Sequence, residues 1–297
     1  MIKMKIEDIY LSMLGLSIPL AIILSISYPS YFNPIWMTVL LGSALIYGII
    51  GPILSAKNLL FLAGSIPHSA LLSASMGILL SMMISGSNLV WSIIFNVILI
   101  FTIGLVIHRG SDPNKYTSIF IGTTASLTVI VLYYITNHFY LLTSVESILL
   151  GDPLLSTRSD AILIFVLAAI TLLFFGLTYK EHIYIGITGE EAKLAGLRTE
   201  IYEFFFYLFL GITSATLMKI VGFILTHVFI LIPGAAGSLV ARKSKEAIAL
   251  SMNIAAYSAI IGLFLGVFFN LSPSGTTGIC MIAIYIVINV AKKVYGR

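Results

Sequence analysis

Charge is what this sequence has least of. Charged residues make up 9% of the 297 and hydrophobic residues 59%, with a mean hydropathy of +1.07. A soluble domain carries about a quarter of its residues as charges, so a water-soluble fold is excluded and a bilayer is the expected solvent. Cysteine is nearly absent too: Cys280 stands alone, which excludes an internal disulfide or a thiolate cluster. No GxxxxGK[ST] loop is present to cradle a nucleotide, and no HExxH helix or paired intramembrane aspartate marks a protease. Serine, histidine and aspartate occur without the spacing of a nucleophile elbow. The 12 carboxylates all fall in predicted loops or within about a turn of a predicted membrane boundary. Transporters driven by protons or sodium keep carboxylates in mid-membrane, so energy for transport by this chain would have to come from elsewhere.

What the chain does have is apolar runs of bilayer length, about 20 residues per crossing. In the first half they lie at Ile9 to Tyr28, Trp36 to Leu54, Leu59 to Ser85, Leu89 to Ile107 and Thr117 to Thr136. In the second they lie at Ala161 to Tyr179, Ile201 to Lys219, Gly222 to Ala241, Ala247 to Asn270 and Thr276 to Val290. The expected fold is an all-α polytopic membrane protein of about ten transmembrane helices, a single permease-like unit over 1–297. The basic start MIKMK leads into an apolar run with no small-residue cleavage site after it, so this run is expected to stay as the first helix. With the N-terminus inside, 14 of the 16 Lys and Arg fall on the cytoplasmic side and only Arg158 and Lys219 outside. By the positive-inside rule both termini are cytoplasmic. The net charge of +4 is thereby explained by topology, not by a nucleic-acid partner.

Lys180 to Glu200, KEHIYIGITGEEAKLAGLRTE, is the longest water-compatible run and is expected to be cytoplasmic. Thr188 and Glu191 have the form of a capping box, and Gly196 is placed to end the roughly two turns that follow Gly189. Ala192, Ala195 and Gly196 fall at i, i+3 and i+4 and would form a smooth face, with Glu190, Glu191 and Lys193 pointing elsewhere. Two readings fit: a helix that docks into a groove of a partner protein, or a solvated loop. On the outer side, Gly151, Asp152 and Pro153 predict a hard Asx-type turn, preceded by a short helix lying at the surface.

Two histidines lie inside predicted spans. Imidazole binds zinc, iron and similar ions and is cheaper to bury than a carboxylate; a histidine packed against a backbone carbonyl is the alternative at both places. Around His68, Pro67 weakens the helix, and Ser65, Ser69, Ser73 and Ser75 can either wet a pathway or satisfy the broken backbone ladder. His227 has Thr226 beside it and Pro233-Gly234 further along. Small residues at Gly211, Ser214 and Ala215 and from Gly234 to Ser238 allow close helix approach.

Taken together, VGFILTHVFILIPGAAGSLVARKSKEAIALS resembles the long signature of metal-type permeases of ABC importers, the manganese, zinc and iron group. GEEAKLAGLRTE is similar to that family's coupling segment, LLGDPLLSTRSD to its outer turn, LSPSG to its Pro-x-Gly motif, and PHSALL to its serine-histidine-alanine segment. The resemblance implies a type II ABC importer fold and a homodimer of this subunit in the plasma membrane. It also implies two cytoplasmic ATPase subunits that hold the ATP, and an extracytoplasmic metal-binding protein. The chain itself would bind no cofactor. His68, with His227, would touch a transported divalent ion, and Thr188 to Gly196 would engage the ATPase. Three departures stand out: Gly64 occupies the place of an acidic residue four positions before His68, Leu72 and Ser73 that of a proline-glycine after it, and His227 that of a small apolar residue. A siderophore or cobalamin ABC permease is the nearest alternative. A membrane-embedded protein without an ATPase is the more distant one.

Overall fold

In the computed structural model, residues 19, 21–109, 112–139 and 151–295 are described. The described residues are helical apart from their connections: α1 (Pro34–Ala56), α2 (Leu60–Ile84), α3 (Asn88–His108), α4 (Pro113–His138), a 3-10 turn (Pro153–Leu155), α5 (Arg158–Ile187), α6 (Gly189–Leu194), α7 (Thr199–Val240), α8 (Ser244–Phe268) and α9 (Pro273–Tyr295). Eight of these helices are long and apolar enough to cross a membrane, which makes the chain a multi-pass membrane protein. The first predicted span is helical over 21–27, and most of it lies outside the described residues, as does the short surface helix predicted before Gly151.

The 42-residue α7 merges two predicted spans, yet it is not one rod. Glu203 pairs with Lys57 at the end of α1, while Gly234 packs on Gly51, six positions earlier in the same helix. A straight helix would separate positions 203 and 234 by roughly 46 Å, whereas 51 and 57 are about 9 Å apart. The chain therefore doubles back, and it does so at Gly222, whose φ of 83° and ψ of 178° lie in a region open essentially to glycine alone. The outgoing arm (199–221) and the returning arm (223–240) correspond to the two spans read from the sequence.

α1 packs on α5, α7 and α8, and α7, α8 and α9 pack on one another; α2 packs on α3, α4 and α7 and meets α1 hardly at all. α7 thus lies at the centre of one continuous core, its outgoing arm set on α3 with Val97 against Gly211 and Phe101 against Phe204. The returning arm of α7 meets α1 glycine on glycine. A Cβ on Gly234 would stand 2.5 Å from the Gly51 carbonyl carbon, so the small residues of this segment do permit close packing.

Between α2 and α3, Ser85 adopts φ 74°, ψ 176°, the same glycine-only region as Gly222. Ser85→Gly is expected to relieve that strain and stabilise the protein by on the order of 1 kcal/mol after the entropy cost of glycine. A rise in the thermal midpoint in detergent checks it, and an unchanged or lower midpoint counts against it.

Candidate functional site

The hairpin in α7 brings His227 back to α2, where it faces His68. Their ring centroids are 5.7 Å apart with planes at 86°. Phe223, the residue after the turn, contacts both rings, at 5.2 Å from His68 and 5.4 Å from His227. His68 is eight residues from the start of α2 and His227 thirteen from the end of α7, roughly 12 and 20 Å from the end of the molecule where both termini of α7 lie. In a hydrocarbon core about 30 Å thick, that is near the middle. Nδ1 of His227 is buried and has no hydrogen-bond partner among protein groups, so the packed, carbonyl-bonded alternative does not describe that atom. Among the described residues no cluster of three His, Cys, Asp or Glu forms.

The four serines around His68 do not line a wet path. Ser65, Ser69, Ser73 and Ser75 are fully buried, and each donates its hydroxyl to a carbonyl of its own helix: Leu62, Ile66, Ser69 and Leu71 respectively. None of these four bonds reaches the Ala63 carbonyl, the one that Pro67 leaves without its helical N–H donor, so the serines satisfy their own hydroxyls and do not repair the ladder. The residue that organises this region is Asn96 of α3, a single buried amide in an apolar run. Its Oδ1 lies within reach of the Ser69 and Ser73 hydroxyls at 3.0 and 3.2 Å, and its Nδ2 donates to the Gly211 carbonyl at 2.8 Å and to Ser214 Oγ at 2.7 Å. Only this amide orientation fits, because a carbonyl can only accept. Asn96 thus fixes the turn of α2 that bears His68 against the outgoing arm of α7. The presence of one polar residue in the run IIFNVILIF was the available signal.

The segment Lys180 to Glu200 is not a loop. α5 continues to Ile187, about 45 Å of helix, because nothing in KEHIYIGI breaks it. Two expectations change as a result. Thr188 makes no capping bond, since its N–H and hydroxyl both reach the Tyr184 carbonyl at the end of α5, at 2.9 and 3.3 Å. The capping box of α5 is at its other end, Thr157 with Asp160, where the chain does start a helix afresh. Ala192 is fully buried, so it anchors α6 to the body and does not belong to an exposed face. The exposed surface is formed by Glu191, Lys193, Ala195 and Gly196 around Leu194, which is 89% exposed. Gly189 begins α6, and Gly196, at φ +86°, ends it as expected.

Beneath α6 lies a group the sequence reading missed by ending α5 at Tyr179. His182 is fully buried among Phe174, Phe175, Tyr202 and Phe206, at 5.2 to 6.2 Å between ring centroids. Lys57, its side chain 4% exposed, pairs with Glu203 and lies 5.2 Å over the Phe206 ring. The ends of α1 and α5 and the start of α7 are thus locked together next to α6.

At the opposite end Asp152 accepts from the Leu154 N–H at 2.9 Å, the predicted Asx turn. Gly151, at φ +55°, lies directly on Gly222, and its carbonyl accepts from Ser274 Oγ at 3.3 Å.

Residues 27–292 match the ABC 3 transport family. The manganese transport system membrane protein MntC of Listeria monocytogenes is 26% identical over 230 residues, 77% of this chain and 79% of that protein. The manganese import system permease protein ScaB of Streptococcus gordonii is 26% identical over 145 residues, 49% of this chain and 52% of that one. Among solved structures, PsaBC from Streptococcus pneumoniae in complex with Fab has the same fold, with a TM-score of 0.75 at 20% identity over 91% of this chain and 95% of that one.

Proposed function

Because the chain belongs to the ABC 3 transport family, we propose that it is the membrane permease of an ATP-driven importer for a divalent metal ion: zinc, manganese or iron. It is a transport component and not an enzyme, in keeping with the lack of a nucleotide-binding loop. The observation that carries the metal reading is the His68–His227 pair, 5.7 Å apart, one imidazole on α2 and one on the returning arm of α7. Relative motion of those two helices changes that separation. The ion is held when the imidazoles converge and released when they part, and two ligands bind weakly enough for passage.

The drive enters at α6. Leu194, Ala195 and Gly196 present a small apolar surface, of which Leu194 is 89% exposed, suited to a groove on an ATPase subunit. α6 follows α5 directly, and His182 and the Lys57–Glu203 pair tie the ends of α5 and α1 to the start of α7, so a push there reaches all three helices. On this reading α6 faces the cytoplasm with both chain termini, a second copy of the chain completes the permease, and an outer binding protein delivers the ion near Gly151 and Asp152.

The test is ATP-dependent metal uptake by the complex in sealed vesicles. Leu194→Asp is expected to cut uptake and metal-stimulated ATP hydrolysis by roughly tenfold or more, the loss of about 1.4 kcal/mol of docking, with the folded yield unchanged. Normal coupled uptake in that variant removes α6 as the coupling element. Uptake that follows a chelate and not the free ion removes the divalent-ion reading.

A further inference from the structure

Resting on the permease function proposed above, we infer that the imidazole pair His68–His227 makes this transporter select zinc over manganese. Three observations carry it. Both side chains brought together in mid-span are nitrogen ligands, and among the described residues no third His, Cys, Asp or Glu joins them. Nδ1 of His227 is buried without a partner. One helical turn before His68, on the same face of α2, stands Gly64, and nothing lies within 4 Å of where its Cβ would be. A carboxylate has room there and is absent.

Chemistry then decides between ions. Imidazole suits zinc and iron, whereas manganese binds best to carboxylate, carbonyl and water oxygens in octahedral geometry and ranks lowest among divalent first-row ions at a given nitrogen site. Two imidazoles sharing one zinc through bonds of about 2.0–2.1 Å at a tetrahedral angle have ring centroids roughly 5 Å apart. The observed 5.7 Å is within a small closure of that arrangement. Among the described residues the site also offers no negative charge, so the ion is held only by the strength of the nitrogen bonds, which favours the ion that gains most from them. Waters fill the remaining positions.

The experiment measures initial uptake of labelled zinc and labelled manganese together in sealed vesicles holding the complete transport complex. A ratio taken on one preparation cancels differences in the amount of folded protein. The wild type is expected to prefer zinc by about tenfold or more, and Gly64→Asp to move the ratio toward manganese by about the same factor. A wild-type ratio at or below one, with uptake still lost in His68→Ala, overturns the selectivity while leaving the permease function intact. Failure of the wild type to move either ion with ATP overturns the function itself, and this inference with it.

Discussion

Gly222→Ala is expected to leave little folded, transport-competent protein. At φ 83°, ψ 178° a Cβ is strained by about 1–3 kcal/mol before any contact is considered. The turn cannot relax, because Gly151 is pressed on it: a Cβ on Gly151 would stand 2.1 Å from the Gly222 Cα and 2.5 Å from its nitrogen, both backbone atoms. Straightening α7 would carry His227 away from His68 and Gly234 away from Gly51. Against a total stability of about 5–15 kcal/mol, strain and lost packing together are a large fraction. The measurement is the yield of monodisperse protein and its thermal midpoint in detergent. Gly151→Ala is expected to reproduce the effect from the other side of the contact. A wild-type midpoint in both variants means that the reversal at Gly222 is not there.

Asn96→Asp is expected to be nearly as damaging, although it changes one atom. The Nδ2 group that donates to the Gly211 carbonyl at 2.8 Å and to Ser214 Oγ at 2.7 Å becomes an oxygen. An acceptor then faces a carbonyl acceptor, in a fully buried position with no cation among its contacts. Leaving a buried charge uncompensated costs about 3–5 kcal/mol. Asn96→Leu provides the comparison. Ser69 and Ser73 keep their bonds to the Ile66 and Ser69 carbonyls, and Ser214 keeps its bond to the Leu210 carbonyl at 2.5 Å. The leucine variant therefore loses only interhelical bonds, averaging about 0.6 kcal/mol each in membrane proteins. Thermal midpoints in the order wild type, leucine, aspartate check the argument, and an aspartate variant as stable as the leucine one defeats it. Because Asn96 acts on His68 only through Ser69 and Ser73, a folded leucine variant is expected to lose metal uptake in part, where His68→Ala loses it entirely.

Much was legible in the sequence because a bilayer leaves few choices. Hydrocarbon admits only helices or closed barrels, so the apolar runs named the spans, and the reversal at Gly222 appeared there as a boundary between two of them. The Gly-Asp-Pro turn and the stop at Gly196 were readable because each depends on local backbone chemistry. The misreadings were also local. Thr-x-x-Glu at 188–191 has the letters of a capping box, but its threonine N–H was already held by the helix before it. The alanine spacing in α6 defined a face without saying which way it pointed, and only packing turned Ala192 inward and Leu194 out.

By itself, then, the sequence determined that this is a helical, multi-pass membrane protein and where most of its spans and turns fall, since hydropathy and turn residues act along the chain. Which side chains meet was decided by tertiary structure alone. His68 and His227 are 159 positions apart, and Asn96 reaches partners on α2 and α7. Those meetings arise from a hairpin and from glycine-on-glycine packing between distant helices, and no periodicity in one helix encodes the neighbour it will face.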